Sequence, residues 1–314
     1  MKADLMCLQD ARDNFGRGND LITTSCLRCR FKPSYIDAIP LFKNAAEKFH
    51  GLGKYDEEIC CRIKLTECFR GTQSPWEEGN EYDKMAQVYL KQLNRPLDAF
   101  NTVCNCHNSF VVAREFESSI KVIAKISNEF YERKEIEYAE RLLKIGFDCI
   151  LKYFHVLIFD KEASHSSIYR LIDQYIDILY FLNKIDEATE SAEKVIKVME
   201  NEEEDKSKVI HCYCIMMIGF IILGKETEYY KIIGLAQDLK SNGANDDGDI
   251  NLIDGLYEGM KKGIDDKKLN SKISNLANDF PINVSKVLKN KAKTFIKKEE
   301  IIDTGASGFD EDLK

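Results

Sequence analysis

Eleven cysteines are the residues of this 314-residue chain best suited to bind metal or carry redox chemistry. Cys26 and Cys29 have the Cys-x-x-Cys spacing of zinc and disulfide-exchange sites. A structural zinc site needs a second pair of cysteines or histidines at similar spacing, and none follows nearby. No strand–helix–strand pattern supports a thioredoxin-like site. We therefore predict neither a metal nor a redox role for this pair.

Two mixed clusters of cysteine and histidine are further candidates for a metal site. They are Cys104, Cys106 and His107, and His211, Cys212 and Cys214. The clusters lie far apart in the chain, and repeats that contact only their nearest neighbours keep such segments separate. Reduced cysteines behave as small hydrophobic residues in a protein of this length. We favour core packing for both clusters.

An acidic, glycine-rich segment, residues 241–249, nearly matches a calcium-binding loop. With Gly248 as the turn glycine, Asn245, Asp247 and Asp254 would stand at the third, fifth and twelfth ligand positions. The first position would be Gly243, which has no side chain to bind calcium. A solvated connector is therefore the better interpretation.

Catalytic sequence motifs are missing from the chain. It has no Walker sequence, Gly-x-Gly-x-x-Gly, Gly-x-Ser-x-Gly or His-Glu-x-x-His. Its five histidines are scattered, without a recurring carboxylate or cysteine partner. Nothing assembles a nucleophile, a base and an oxyanion site. We predict that the protein is not an enzyme and uses no cofactor or metal.

A loop near the N-terminus combines apolar and basic side chains. Leu27 and Phe31 alternate with Arg28, Arg30 and Lys32. Apolar tips with basic neighbours suit shallow contact with an anionic membrane surface. Alternatively, Leu27 and Phe31 fold back onto the first pair of helices. The sequence leaves these two possibilities equally open.

Short polar turns recur about every forty residues along the chain. This repeat length is typical of helix-hairpin arrays, so we expect helices to position the candidate residues. The turns lie at residues 53–56, 94–99, 132–135, 183–188 and 224–226. An aromatic residue lies just ahead of each turn: Phe49, Tyr89, Tyr131, Phe181 and Phe220. An amphipathic run flanks each turn on both sides, and one hairpin cannot bury its apolar stripe alone.

This pattern predicts an all-α fold, a tetratricopeptide-like helix-hairpin solenoid of antiparallel helices over residues 1–241. Shorter helices over residues 242–300 are expected to form a C-terminal helical cap. Residues 301–314 contain glycine, serine and several acids, and we expect them to form a flexible acidic tail. Solenoids of this kind mostly hold other proteins, so the fold itself indicates binding.

The composition indicates which classes of partner and which cell compartment to expect. A net charge of −8 argues against a general affinity for nucleic acid. The most apolar run, residues 215–223, is too short to span a membrane and is expected to be a buried helix. The N-terminus lacks the apolar core of a signal peptide. We predict a cytoplasmic protein.

Several segments resemble the soluble NSF attachment protein family. Residues 27–49 are similar to its Leu-Lys-Trp-Lys-Pro loop and the following Tyr-Asp-x-Ala helix with a Lys-Ala-Ala core. Residues 53–57 and 183–188 are similar to two of its hairpin turns. Residues 254–258 resemble its cap helix, and residues 310–314 resemble the acidic terminus of the alpha type. The resemblance covers essentially the whole chain and is greatest to the gamma type.

The resemblance implies a twisted sheet of helix hairpins with a C-terminal helical bundle. It also implies an adaptor without an active site, which binds a SNARE four-helix bundle and recruits the NSF-type AAA ATPase in vesicle trafficking between membranes such as those of the endoplasmic reticulum and Golgi. Such an adaptor is cytoplasmic and peripherally associated with membranes. Its contact with NSF would lie at Asp310, Glu311, Asp312 and Leu313.

Two differences from the family concern candidate contacts. The loop at residues 27–33 has no tryptophan, and an alignment on the turn at residue 183 puts Gln174 where the family has a lysine. The alternative is a peptide-binding scaffold or cochaperone without an NSF partner. Basic residues collected on one face would favour an acidic, rod-like partner.

Overall fold

The protein, seen in a computed structural model, is described for residues 2–24, 31–159, 165–201, 206–242, 248–262 and 266–305. All regular secondary structure in these residues is helical. The helices are α1 (Lys2–Ile22), α2 (Tyr35–Gly51), α3 (Tyr55–Gly71), α4 (Pro75–Lys91), α5 (Pro96–Ala113), α6 (Phe116–Glu132), α7 (Ile136–Phe159), α8 (His165–Phe181), α9 (Ile185–Asn201), α10 (Lys206–Leu223), α11 (Glu226–Ser241), α12 (Asp249–Lys262), α13 (Asp266–Asp279) and α14 (Ile282–Gly305). The predicted all-α, helix-hairpin fold class is confirmed.

The hairpin turns share one geometry. After α2, the N–H of Lys54 donates to the carbonyl of Phe49 at 2.8 Å, and the N–H of Gly53 donates to that of His50 at 3.0 Å. Gly53 takes a left-handed conformation with φ of 67°, which completes a Schellman motif. A left-handed residue recurs in the turns at Gly53, Gln73, Asn94, Arg114, Lys134, Asn183 and Gly224. Each of the seven helices that precede these turns therefore ends by satisfying its last carbonyls and reversing the chain.

Two of these turns are not among the five recurring polar turns of the sequence. Gln73 lies between α3 and α4, and Arg114 lies between α5 and α6. Residues other than glycine and asparagine rarely adopt positive φ, so neither position gives a turn signal. Helix α5 ends at Ala113, directly before the left-handed Arg114. The turn interval of about forty residues thus corresponds to every second turn.

The chain divides into two compact units, Met1–Leu171 and Ile172–Lys314. In the first unit, each helix from α1 to α6 packs against the next one in the chain. Its core is built from buried aromatic and aliphatic residues on every helix, including Phe42, Leu65, Leu90, Phe110 and Phe130. The amphipathic faces expected from the sequence form this core.

Helix α10 is the centre of the second unit. It packs against α9, α11, α12 and α14, and most of its length is buried. Gly219 is required there, because a β-carbon at this position would lie 2.2 Å from the Cγ2 of Thr189. Among the described helices, α10 alone is long and apolar enough to cross a membrane by length and composition. Its burial among these four helices makes it a core helix, as the sequence indicated for residues 215–223.

The last three helices, α12, α13 and α14, pack against one another and form a bundle. The start of α14 is anchored to α8: Asp177 accepts hydrogen bonds from the Asn283 backbone N–H at 2.7 Å and side-chain Nδ2 at 2.6 Å. Helix α14 runs to Gly305, past the expected start of the tail at residue 301. The change from repeat to cap at residue 242 stays a prediction.

We expect a strong reductant to leave the melting temperature within about 2 °C of its value without reductant. Every described cysteine is a free thiol, and most are buried in helices. Burial raises the pKa of Cys61 and Cys212 to about 12, so these thiols are unreactive. Calorimetry with and without reductant measures the effect. A fall of many degrees in the melting temperature would reveal a structural disulfide. Such a disulfide would have to join Cys26 and Cys29, which lie outside the described residues.

Candidate partner-binding surfaces

The candidate membrane loop is described only at its end. Leu27, Arg28 and Arg30 lie outside the described residues, whereas Phe31 and Lys32 are both exposed. Phe31 leaves 74% of its surface in solvent, so it does not fold back onto the first hairpin. The N–H of Ser34 donates to the carbonyl of Leu21 at 2.9 Å and fixes where the loop rejoins the helices. An apolar and a basic side chain are therefore presented together at this edge of the first unit.

The candidate NSF-binding residues Asp310, Glu311, Asp312 and Leu313 lie outside the described residues. Gln174, which replaces the family lysine in the alignment, lies on α8. Its side-chain oxygen is buried and has no hydrogen-bond partner among the described residues. This carbonyl oxygen is therefore shielded from solvent.

The cysteine and histidine clusters serve the core, as predicted. The Cys106 thiol donates to the carbonyl of Gly79 at 3.2 Å, and His107 Nδ1 lies 2.7 Å from the hydroxyl of Ser119. Burial raises the pKa of Cys106 and lowers that of His107, which favours the neutral form of each. No group of three metal-binding side chains occurs in the part of the chain that the structure describes.

The second cluster and the possible calcium ligand are also engaged within the fold. His211 stacks on the ring of Phe280 with centroids 5.0 Å apart, and its Nε2 lies 3.3 Å from Asp173. Asp254, expected as a calcium ligand only if the acidic loop bound calcium, accepts a hydrogen bond from the Tyr229 hydroxyl at 3.0 Å. Residues 243–247 of that loop, which include Asn245 and Asp247, lie outside the described residues.

A buried charge cluster between α3 and α4 was not predicted. Arg62 donates from Nε to Glu58 at 2.8 Å and from Nη1 to Glu81 at 2.7 Å. Glu58 is fully buried, and Arg62 leaves only 12% of its side chain in solvent. His50 lies 2.8 Å from the second oxygen of Glu58, and Lys84 donates to the second oxygen of Glu81 at 2.6 Å. All four carboxylate oxygens have partners, so the cluster ties α2, α3 and α4 together.

A row of free cations runs along α14. Lys286, Lys289 and Lys293 are all exposed, and none has an ion pair among the described residues. Their spacing places them within about 60° of one another around the helix, and the exposed Ile282 lies on the same stripe. We call Lys286, Lys289 and Lys293 the lysine row.

The opposite side of α14 explains why the lysine row faces solvent. Val284, Leu288 and Ala292 are buried where α14 packs against α10, α12 and α13. Other lysines are neutralised locally, such as Lys48 by Asp10 and Lys225 by Asp186. The lysine row is therefore a positive strip held in place by a packed helix, on a chain whose net charge is −8.

The chain is similar to several solved structures, but its sequence matches no known family. No family model and no curated protein sequence matches the chain. The solved structures similar to it include BtubC from P. vanneervenii, with 12% identity and a TM-score of 0.35 over 78% of this chain and 94% of that one. Aspartyl phosphate phosphatase F from Bacillus subtilis matches with 15% identity and a TM-score of 0.32, over 99% of this chain and 75% of that one. At these values neither likeness supports an argument about function.

Proposed function

We propose that the protein is a helical adaptor that binds an acidic, rod-like helical bundle of the SNARE type and recruits an NSF-type AAA ATPase to it. The lysine row is the observation that supports this proposal best. It supplies three uncompensated positive charges along one face of α14. Charge complementarity of this kind steers an acidic partner and selects its orientation. The residues that suggested the family also support the proposal.

The lysine row fits a rod better than a compact partner. Lys286 and Lys293 are seven residues apart, which corresponds to about 10.5 Å along the helix axis. Acidic side chains one or two turns apart on a partner helix are separated by about 5 to 11 Å, which is similar to the spacing of the lysines. A helical bundle can therefore contact all three cations at once. Ile282 adds an apolar contact at one end of the strip, where it leaves 78% of its surface in solvent.

A binding experiment with purified components tests the proposal. The full chain is immobilised and mixed with an assembled SNARE complex, with an NSF-type ATPase, or with both, and with ATP or a non-hydrolysable analogue. We expect SNARE binding by the adaptor alone, ATPase binding that depends on the SNARE complex, and release on ATP hydrolysis. Failure to retain the SNARE complex at low salt would contradict the proposal.

Changing Phe31 to serine is expected to weaken binding to anionic liposomes by about 10-fold or more, because burying an aromatic side chain in the interface contributes about 1.5–3 kcal/mol. Co-sedimentation with vesicles containing phosphatidylserine measures the effect. Val112→Ser is the matched control, since Val112 is equally exposed but lies at the end of α5. Equal binding by the Phe31 variant and the parent would contradict the membrane role. Combining the change with Leu27→Ser should deepen the loss.

Changing Leu313 to alanine is expected to reduce stimulation of the ATPase and SNARE disassembly several-fold while SNARE binding stays unchanged. Asp310, Glu311 and Asp312 would steer the tail to a basic patch on the ATPase, and burial of Leu313 would contribute about 1.5–3 kcal/mol. Phosphate release and a disassembly assay are the measurements. Lys314→Ala is the control next to it. An unimpaired Leu313 variant would show that the tail makes no contact with the ATPase.

A further inference from the structure

An open groove lies in the first unit between the ends of α3 and α5 and the start of α4. It has a volume of about 220 Å³, and its walls include Arg70, Pro75, Tyr82, Asn105 and Asn108. Pockets for drug-sized ligands and cofactors generally occupy about 300–1,000 Å³. This groove is too small and too open for such a ligand, but it accommodates a short stretch of polypeptide.

One wall of the groove belongs to a row of asparagines on α5. Asn101, Asn105 and Asn108 are exposed and share one stripe of the helix with Val112, which leaves 73% of its surface in solvent. None of these three carboxamides has a hydrogen-bond partner among the residues that the structure describes. Each carboxamide offers an acceptor oxygen and two N–H donors. The stripe therefore presents hydrogen-bond donors and acceptors at regular intervals next to the groove.

The opposite wall is polar but electrically balanced. Arg70 donates from Nη2 to Glu78 at 2.6 Å and to the hydroxyl of Tyr82 at 3.0 Å. The guanidinium is therefore held in place and neutralised by Glu78. A ligand carboxylate or phosphate would have to compete with this carboxylate for Arg70. The groove thus favours an uncharged polar ligand over an anion.

The polypeptide backbone is the ligand that matches this lining. A peptide unit pairs one N–H with one C=O, and a single carboxamide can bond to both. Asn105 and Asn108 are separated by about 4.5 Å along α5, and Asn101 and Asn105 by about 6 Å. An extended peptide advances about 3.3 Å per residue, so neighbouring and alternate peptide units fall within reach of the row. Pro75 and Val112 supply an apolar surface for a small side chain of the same peptide.

We propose that this groove binds an extended, uncharged peptide segment of a partner protein, with Asn105 and Asn108 hydrogen-bonded to its backbone. The site lies on different helices from the lysine row. It does not depend on the adaptor proposal, and it can be tested without SNARE proteins or the ATPase. Because the site recognises the backbone, binding requires mainly that the segment be extended. A small apolar residue that contacts Pro75 and Val112 would make the site select among extended segments.

The test begins with selection of a library of random eight-residue peptides on the full chain. The affinity of the tightest peptide is then measured by fluorescence anisotropy for the parent and for Asn105→Ala/Asn108→Ala. We expect the double variant to bind at least about 10-fold more weakly, since it loses several hydrogen bonds. Alanine is a strong helix former, so α5 keeps its structure. Asn251→Ala/Asn290→Ala, two exposed asparagines of the second unit, is the matched control and should bind like the parent.

A second arm distinguishes backbone recognition from side-chain recognition. Copies of the selected peptide carrying one N-methylated residue at a time lose a single backbone donor each. We expect the affinity to fall by about 10-fold or more at the positions that meet the asparagines. Trp76, the only tryptophan of the chain and the neighbour of Pro75, should report binding through its fluorescence. Selection of no peptide, selection only of acidic peptides, or equal affinity for the asparagine variant would each overturn the proposal.

Discussion

Replacing Arg62 with methionine is expected to lower the free energy of unfolding by about 3–5 kcal/mol, because removing one partner of a buried ion pair leaves an uncompensated charge. The change would leave Glu58, which is fully buried, and Glu81, which is nearly so, without their shared cation. Methionine keeps most of the packing of the arginine side chain, so the loss reports mainly on the charges. Urea unfolding followed by circular dichroism measures it.

Two further variants separate the buried charges from simple packing. Glu58→Gln/Glu81→Gln added to Arg62→Met should recover most of the lost stability, because the cluster then contains no unpaired carboxylate. Arg12→Met, on an exposed position of α1, should change stability by no more than about 0.5 kcal/mol. If Arg62→Met behaves like Arg12→Met, the cluster does not hold α2, α3 and α4 together.

The helices could be predicted well because their signals are local. Hairpin turns at Gly53, Asn94, Asn183 and Gly224 contain residues that tolerate a left-handed backbone. The turn at Arg114 has no such residue, and only the packing of α5 against α6 forces it. Long-range packing decides such positions, and a sequence pattern does not display it.

The charge cluster could have been found from spacing. Glu58 lies three residues before Cys61 and seven before Leu65, so it belongs to the buried stripe of α3. Glu81 lies four residues before Met85 and seven before Val88, so it belongs to the buried stripe of α4. A charged residue on an apolar stripe needs a buried partner, and that rule would have singled out both glutamates. Their shared partner, Arg62, is fixed only by how the two helices meet.

The lysine row and the asparagines of α5 show a second limit of prediction from sequence. Both have helical spacing in the sequence, as do many solvated faces. What distinguishes them is that their neighbours leave them uncovered and unpaired. For Lys286 and Lys289 this follows from the burial of Val284 and Leu288 on the other side of α14. For Asn105 it follows from the burial of Cys106 and Phe110 on α5. Only the arrangement of neighbouring helices provides this information.

Reversing the charge of the lysine row, with Lys286→Glu, Lys289→Glu and Lys293→Glu together, is expected to lower affinity for an acidic helical bundle by about 30- to 100-fold at low salt. The variant replaces attraction by repulsion at three neighbouring positions. Because these side chains are exposed and face away from the core, stability should change little. Surface plasmon resonance with an assembled SNARE complex measures the affinity.

The matched control distributes the same change in charge over three separate helices: Arg12→Glu, Lys194→Glu and Lys231→Glu. Both triple variants have the same net charge, so a difference between them reports on the position of the cations. The Debye length falls from about 10 Å at 0.1 M salt to about 3 Å at 1 M, so the advantage of the parent should shrink as salt rises. If the two triple variants lose affinity equally, general charge and not the lysine row governs binding. If the row variant binds as tightly as the parent at low salt, an acidic partner must contact another face of the protein.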